Sequence, residues 1–84
     1  MIGRLKGQLV STRNGIILLD VNQVGYEIEV PVSTALILES QSNQAITLYT
    51  HLSIRDDGHY LFGFLDELDR AIFRTLIKVN GVGP

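Results

Sequence analysis

The chain has 84 residues, which fits one domain, and it has no cysteine, which excludes a disulfide framework and a thiolate metal site. Its 45% hydrophobic and 19% charged residues are ordinary for a soluble globular domain, but one this small is marginal alone, so self-association is a natural source of extra stability. The net charge of −2 lacks the basic excess that neutralises phosphates, which argues against this piece being a main DNA-binding surface.

The opening Met1-Ile2-Gly3-Arg4-Leu5-Lys6-Gly7 is positively charged but leads into no apolar h-region. With Ile2, Leu5, Leu9 and Val10 alternating loosely, it predicts a strand to about Val10 rather than a signal peptide. Asn14-Gly15 is a hairpin turn, because both central positions of a type I′ turn favour positive φ. Ile16 to Val21 is a β-rich run, and Asn22-Gln23-Val24-Gly25 reads as a second turn. Tyr26, Ile28 and Val30 then point inward and Glu27 and Glu29 outward, until Pro31 ends the strand. Ser33 to Ser40 is ambiguous; a Ser33 or Thr34 cap would suit a short helical turn.

After the polar Gln41 to Gln44, Ala45 to Ile54 alternates over a long span and puts Ile46, Leu48, Thr50, Leu52 and Ile54 on one face. Arg55-Asp56-Asp57-Gly58 is a turn, marked by Asp-Gly. His59 to Phe64 makes a fifth strand, where Gly63 signals a bulge or close packing. Beyond Leu65 the period changes from two to 3.6. Asp66 is the N-cap, Asp69 partly imitates a capping box, and Leu68, Ile72, Phe73, Leu76 and Ile77 form one apolar face. Acidic residues crowd the start and Arg70, Arg74 and Lys78 lie toward the end, as the helix dipole prefers, before Asn80-Gly81 stops the helix. The fold class expected is mainly β: a five-stranded OB-fold Greek-key barrel with a C-terminal helix. An SH3-like barrel fits less well, since strand four is long and the Ser33–Ser40 insert sits where OB barrels carry theirs.

Three stretches resemble the RuvA family. They are Met1 to Gly7; Val24-Gly25-Tyr26-Glu27 with Val30-Pro31; and Thr50-His51, Arg55-Asp56-Asp57 and Tyr60 to Phe64, continuing through Phe73, Leu76-Ile77-Lys78 and Asn80 to Pro84. They span the chain in the right order, and the combination is specific. The resemblance implies an OB barrel over residues 1–64. It also implies that residues 65–84 hold a helix and the start of the first helix-hairpin-helix motif of a second domain, so that the chain is a fragment.

By pattern alone, Asp56 and Asp57 are solvated turn formers. The resemblance makes them an acidic pin at the centre of a four-way DNA junction, where like charge repels phosphates and eases strand separation. The family pair is often Glu-Asp; Asp-Asp reaches one methylene less far. Arg55, beside the pair, is a candidate for orienting the pin through a salt bridge, of a kind that contributes below about 1 kcal/mol at a surface. Asn80, Gly81, Val82 and Gly83 read as a helix stop, or by resemblance as an incomplete hairpin whose backbone N–H groups meet a phosphate without reading sequence.

Arg4, Lys6 and Arg13 read as solvated strand-edge charges. His51 and His59 are too few for a zinc site, and His51 is expected to be a strand residue with a local hydrogen bond. Tyr60, Phe62 and Phe64 are expected in core and interface packing rather than as a base-stacking platform, since no basic residue interleaves with them. No nucleophile–base pair, phosphate loop or paired-carboxylate geometry is visible, so no catalytic residue, cofactor or metal is expected. The function implied by the resemblance is a non-catalytic, cytoplasmic scaffold that binds Holliday junctions. Its implied partners are four-way DNA, a RuvB-type ATPase motor, a RuvC-type resolvase and copies of itself, as a homotetramer or octamer. The alternatives are a generic OB module for single-stranded nucleic acid and a purely structural oligomerisation domain. No apolar stretch approaches the ~18 residues of a membrane helix, so no membrane partner is expected.

Overall fold

The computed structural model describes residues 1–79, within which five strands close into a barrel. Chain order gives β1 (Arg4–Arg13), β2 (Ile16–Val21), β3 (Val24–Glu29), helix α1 (Val32–Leu38) with a 3₁₀ turn at Glu39–Gln41, β4 (Ala45–Arg55), β5 (Gly58–Phe64) and helix α2 (Glu67–Val79). Neighbouring strands run β1-β2-β3-β5-β4, and β4 closes back on β1. All pairs are antiparallel except the β3–β5 seam, which is parallel and made at Glu29 and Phe62. This five-strand closure, with a helix between β3 and β4, is the OB barrel expected from the alternation.

Both short hairpins are built on left-handed backbone. Asn14 and Gly15 have φ of 54° and 75°, the mirror-image turn their sequence announces. The second turn is tighter than its sequence indicates: only Asn22 and Gln23 form it, with φ of 51° and 74°, and Val24 and Gly25 already pair with Val21 and Asp20. The Asp20 carboxylate stabilises it by accepting the Gln23 N–H at 2.8 Å.

Strand β1 begins later and runs further than the alternation indicates, because it contains a bulge. Leu9 pairs with Leu19 and Ser11 with Leu18, so Val10 is the extra residue and is left 44% exposed. The bulge restores the inward phase that simple alternation would lose.

Leu9, Ile17, Leu19, Ile28 and Leu48 fill the barrel and are fully buried, each contributing about 1.5–3 kcal/mol of transfer free energy. Helix α1 closes one end: Leu38 joins the core and Thr34 and Ala35 are buried beside it. Its start differs from the expected Ser33 or Thr34 cap. Pro31 occupies the N-cap with no side-chain capping bond, and its carbonyl accepts the Ala35 N–H at 2.9 Å. Proline's fixed φ serves both to end β3 and to aim the chain into the helix. Gly63 reflects close packing rather than a bulge, since β5 keeps register with β4 there. A Cβ at Gly63 would lie 2.7 Å from Ile28 Cγ2 and 3.3 Å from Leu48 Cδ1, so only glycine fits against the core.

Candidate functional site

Strand β4 has two neighbours for only part of its length. β1 pairs with it from Ala45 to Tyr49, and the last bond across that seam runs from the Thr50 N–H to the Gly3 carbonyl, 3.0 Å. On the other side, β3 meets β5 at Phe62. From His51 to Leu61 the chain is therefore a two-stranded ribbon, paired within itself and flanked by neither β1 nor β3. The inward face expected for β4 splits at this point. Ile46, Leu48 and Thr50 are buried, Leu52 is half-buried, and Ile54 is 67% exposed.

Thr50 marks the exit. Its hydroxyl is buried and donates to the Ile2 carbonyl at 2.6 Å, tying the chain start to the last barrel position of β4. Helix α2 is bolted to the same place. The Arg70 guanidinium donates to the Gly3 carbonyl and to the Thr50 carbonyl at 3.3 Å, and Arg74 Nη2 donates to Thr50 at 3.4 Å. Arg74 Nε donates to His51 Nδ1 at 3.1 Å, so that nitrogen carries no proton. Burial, first, and then the charges of Arg74 and Arg70 hold the His51 imidazole below its ordinary pKa. Phe73 packs between them, with ring centroids 5.5 Å from His51, 5.3 Å from Phe62 and 5.0 Å from Phe64. Phe62 and Phe64 are thus packing residues, as expected.

Two readings of α2 are corrected by these contacts. Arg70 and Arg74 do more than complement the dipole; they hold the helix against β4. The apolar face is divided: Phe73 and Ile77 are half-buried, whereas Leu68, Ile72 and Leu76 are between 49% and 69% exposed. Phe73 lies well over a quarter-turn from Leu68 on a helix wheel, and the arginine bonds choose the Phe73 side. Asp66 is the N-cap, accepting the Asp69 N–H at 2.8 Å.

At the far end of the ribbon, Arg55 pairs with Gly58, so the loop is Asp56 and Asp57 alone. The turn is centred one residue before the Asp-Gly pair that signals it. Gly58 opens β5 with φ 150°, a backbone state that disfavours any residue with a Cβ. Both carboxylates are exposed, together, at the tip. Arg55 is exposed beside them, and its guanidinium lies over the Tyr60 ring, 5.1 Å from the centroid. The Asp57 carboxylate, ahead of the smaller effects of burial and nearby charge, holds the Tyr60 phenol above its ordinary pKa. Tyr60 is therefore a residue of the tip and not of the core, and a basic residue does share its surroundings. Its alternation with Leu61 concealed this, because the period of two continues unchanged from barrel into ribbon. The hairpin residues Asn80, Gly81, Val82 and Gly83 lie outside the described residues. Arg4, Lys6 and Arg13 are exposed on β1. Among the described residues, no helix is long and apolar enough to cross a membrane, and no three His, Asp or Glu side chains cluster as metal ligands would.

The family model for the RuvA N terminal domain matches residues 1–63, which hold the barrel and the ribbon. The chain belongs to the RuvA family. It is 57% identical, over 83 residues and 99% of its length, to the "Holliday junction branch migration complex subunit RuvA" of Thioalkalivibrio sulfidiphilus, of which it covers 41%. It is 55% identical over its full length to the protein of the same name from Cellvibrio japonicus, covering 40% of it. The RuvA protein of Pseudomonas aeruginosa is 50% identical over the full chain, which covers 41% of that relative. The chain thus spans about two-fifths of these RuvA proteins.

Proposed function

We propose that this chain is the barrel-and-pin part of a non-catalytic subunit that binds four-way (Holliday) DNA junctions within a branch migration complex. The observation that carries this reading is the exposed Asp56–Asp57 loop at the tip of a ribbon that leaves the barrel. The names of the relatives support it, since each is a Holliday junction branch migration complex subunit. Asp56 and Asp57 form the pin. Unit charges about 4 Å apart in water interact by about 1 kcal/mol, and by more near a low-dielectric surface. Phosphates at a strand crossover are therefore turned away from the tip and toward the arms. Arg55 is the pin-orienting residue, although its guanidinium lies over the Tyr60 ring rather than in the salt bridge expected with the acidic pair.

A ribbon braced at its root suits this task. The bonds of Arg70 and Arg74 to Thr50 and Gly3, and the Phe73 contacts, fix its base against α2. Affinity comes from elsewhere, because the chain is acidic overall. Asn80, Gly81, Val82 and Gly83 begin a phosphate-binding hairpin, with residues 65–84 opening a second domain of helix-hairpin-helix type. Four copies, or eight, surround the junction, and ATP hydrolysis belongs to a RuvB-type motor; a RuvC-type resolvase is the further partner. The packing of Phe62 and Phe64 beneath Phe73 counts against a generic base-stacking module.

The test is the pair Asp56→Asn and Asp57→Asn in the intact protein. Both positions are exposed, so thermal stability is expected to stay within about 0.5 kcal/mol of the parent. Branch migration rate with the motor, or preference for four-way over duplex DNA, is expected to change. Unaltered rate and preference would reject the pin and favour a purely structural role.

A further inference from the structure

Three aromatic residues alternate along β5, and the fold uses them differently. Phe62 and Phe64 are packed against Phe73 of α2. Tyr60 stands beyond that contact, on the ribbon. It pairs with Ser53, and Arg55 pairs with Gly58, so Arg55 and Tyr60 are diagonal neighbours on one face of the ribbon, within reach of each other's side chains. The Arg55 guanidinium lies over the Tyr60 ring, 5.1 Å from its centroid. The ring itself lies close to the backbone that closes the loop: a Cβ on Gly58 would stand 3.8 Å from its hydroxyl and 3.9 Å from its Cε2. Arg55 is exposed, as are Asp56 and Asp57 next to it. The tip thus carries a flat cation resting on an aromatic ring, beside two carboxylates.

The chemistry of these groups selects what can approach. Asp56 and Asp57 repel a phosphate. A nucleobase carries no net charge, and its face stacks on a guanidinium or an aromatic ring. Within a duplex that face is covered by the neighbouring base pairs; a base left unpaired where strands exchange has it free. We infer that the Arg55–Tyr60 stack is a docking site for an unpaired nucleobase at the crossover, the base lying on the guanidinium with the Tyr60 ring beneath. Every base has such a face, so the site reads no sequence, which suits a crossover that moves through any sequence. A platform that tracks a single strand needs successive open aromatics; this one holds a single base. The inference rests on the proposed placement of Asp56 and Asp57 at a junction, and the test separates the two.

Two four-way junctions are compared in binding to the intact protein. One carries a single unpaired adenine at the crossover, and the other an abasic residue at the same place. The adenine junction is expected to bind at least about fivefold more tightly, the lower end of what stacking one base contributes. Arg55→Lys keeps the charge and loses the flat guanidinium, and it is expected to bring that ratio toward one. Tyr60→Leu, which removes the ring beneath, is expected to do the same. Because the acidic tip meets both junctions alike, a change in the pin itself cancels in the ratio. Arg55 is exposed, so Arg55→Lys decides the matter even where Tyr60→Leu lowers the melting temperature. A ratio near one in the parent overturns the inference, as does a ratio that survives Arg55→Lys. If the Asp56→Asn/Asp57→Asn protein migrates junctions normally while the ratio still follows Arg55, the pin reading fails and the base site stands. If those substitutions alter migration while the parent ratio is one, the pin stands and the base site falls.

Discussion

Strand β4 is built from one alternating pattern and spends it in two environments. Its first half, through Thr50, pairs with β1 and is joined by β5 only from Tyr49, and here Ile46 and Leu48 enter a sealed core. Its second half has β5 alone, and Ile54 is two-thirds exposed although it continues the same face. The comparison shows that alternation specifies a strand and a face, while burial depends on whether another element lies opposite that face. The first half therefore bears on stability and the second on presentation of the tip.

Four substitutions or conditions sharpen this contrast. Leu48→Ala, in the barrel half, is expected to cost the most, about 2–5 kcal/mol, because it leaves a cavity among residues that cannot collapse into it. Urea unfolding measures it, and a loss comparable with that of a surface change would mean the core is loosely packed. Gly63→Ala comes next, at about 1–3 kcal/mol, since the added methyl meets Ile28 and Leu48. A neutral result by the same measurement would show that β5 can shift away from the core.

Acid probes the root of the ribbon, with a smaller effect. His51 has its pKa lowered in the folded chain, so the unfolded chain takes up the proton first. The stabilisation is full above the ordinary histidine range and is lost as pH falls through that range toward the lowered folded value. The melting temperature is expected to decline between about pH 8 and about pH 5. His51→Gln, which retains an acceptor for Arg74, is expected to flatten that decline; an equal slope in both proteins would remove His51 as its cause. Ile54→Thr, on the ribbon half, is the smallest: a change within about 0.5 kcal/mol by urea unfolding. A loss approaching that of Leu48→Ala would show that the ribbon face is covered after all.

Much of the fold was legible because short-range chemistry carried it. Asn14-Gly15 specified a hairpin, Tyr26 to Val30 declared its inward face, and Asp66 announced α2. The turn at Asn22-Gln23 was blurred because Gln23 rarely adopts positive φ, and its Asp20 partner lies three residues back. The bulge at Val10 was invisible because it exists only relative to β2. At the tip, Asp56 and Asp57 stood out as a charged turn, whereas Tyr60 was hidden among aromatics that do pack. The division of the α2 face followed from Arg70 and Arg74, whose partners are backbone carbonyls that no side-chain pattern reveals.

The amino-acid sequence by itself determined the five strands and the closing helix, the hairpins, the inward residues of the barrel and the acidic character of one loop. Those properties arise from φ preferences and from periodicity within a few residues. Tertiary structure decided where β4 leaves the barrel, which side of α2 is held down, and that Tyr60 lies under Arg55 near the tip. Each of these depends on a neighbour distant in sequence: β1 ends its pairing at Tyr49, and β3 reaches β5 only at Phe62. Where those neighbours stop, an unchanged alternating pattern passes from core to solvent.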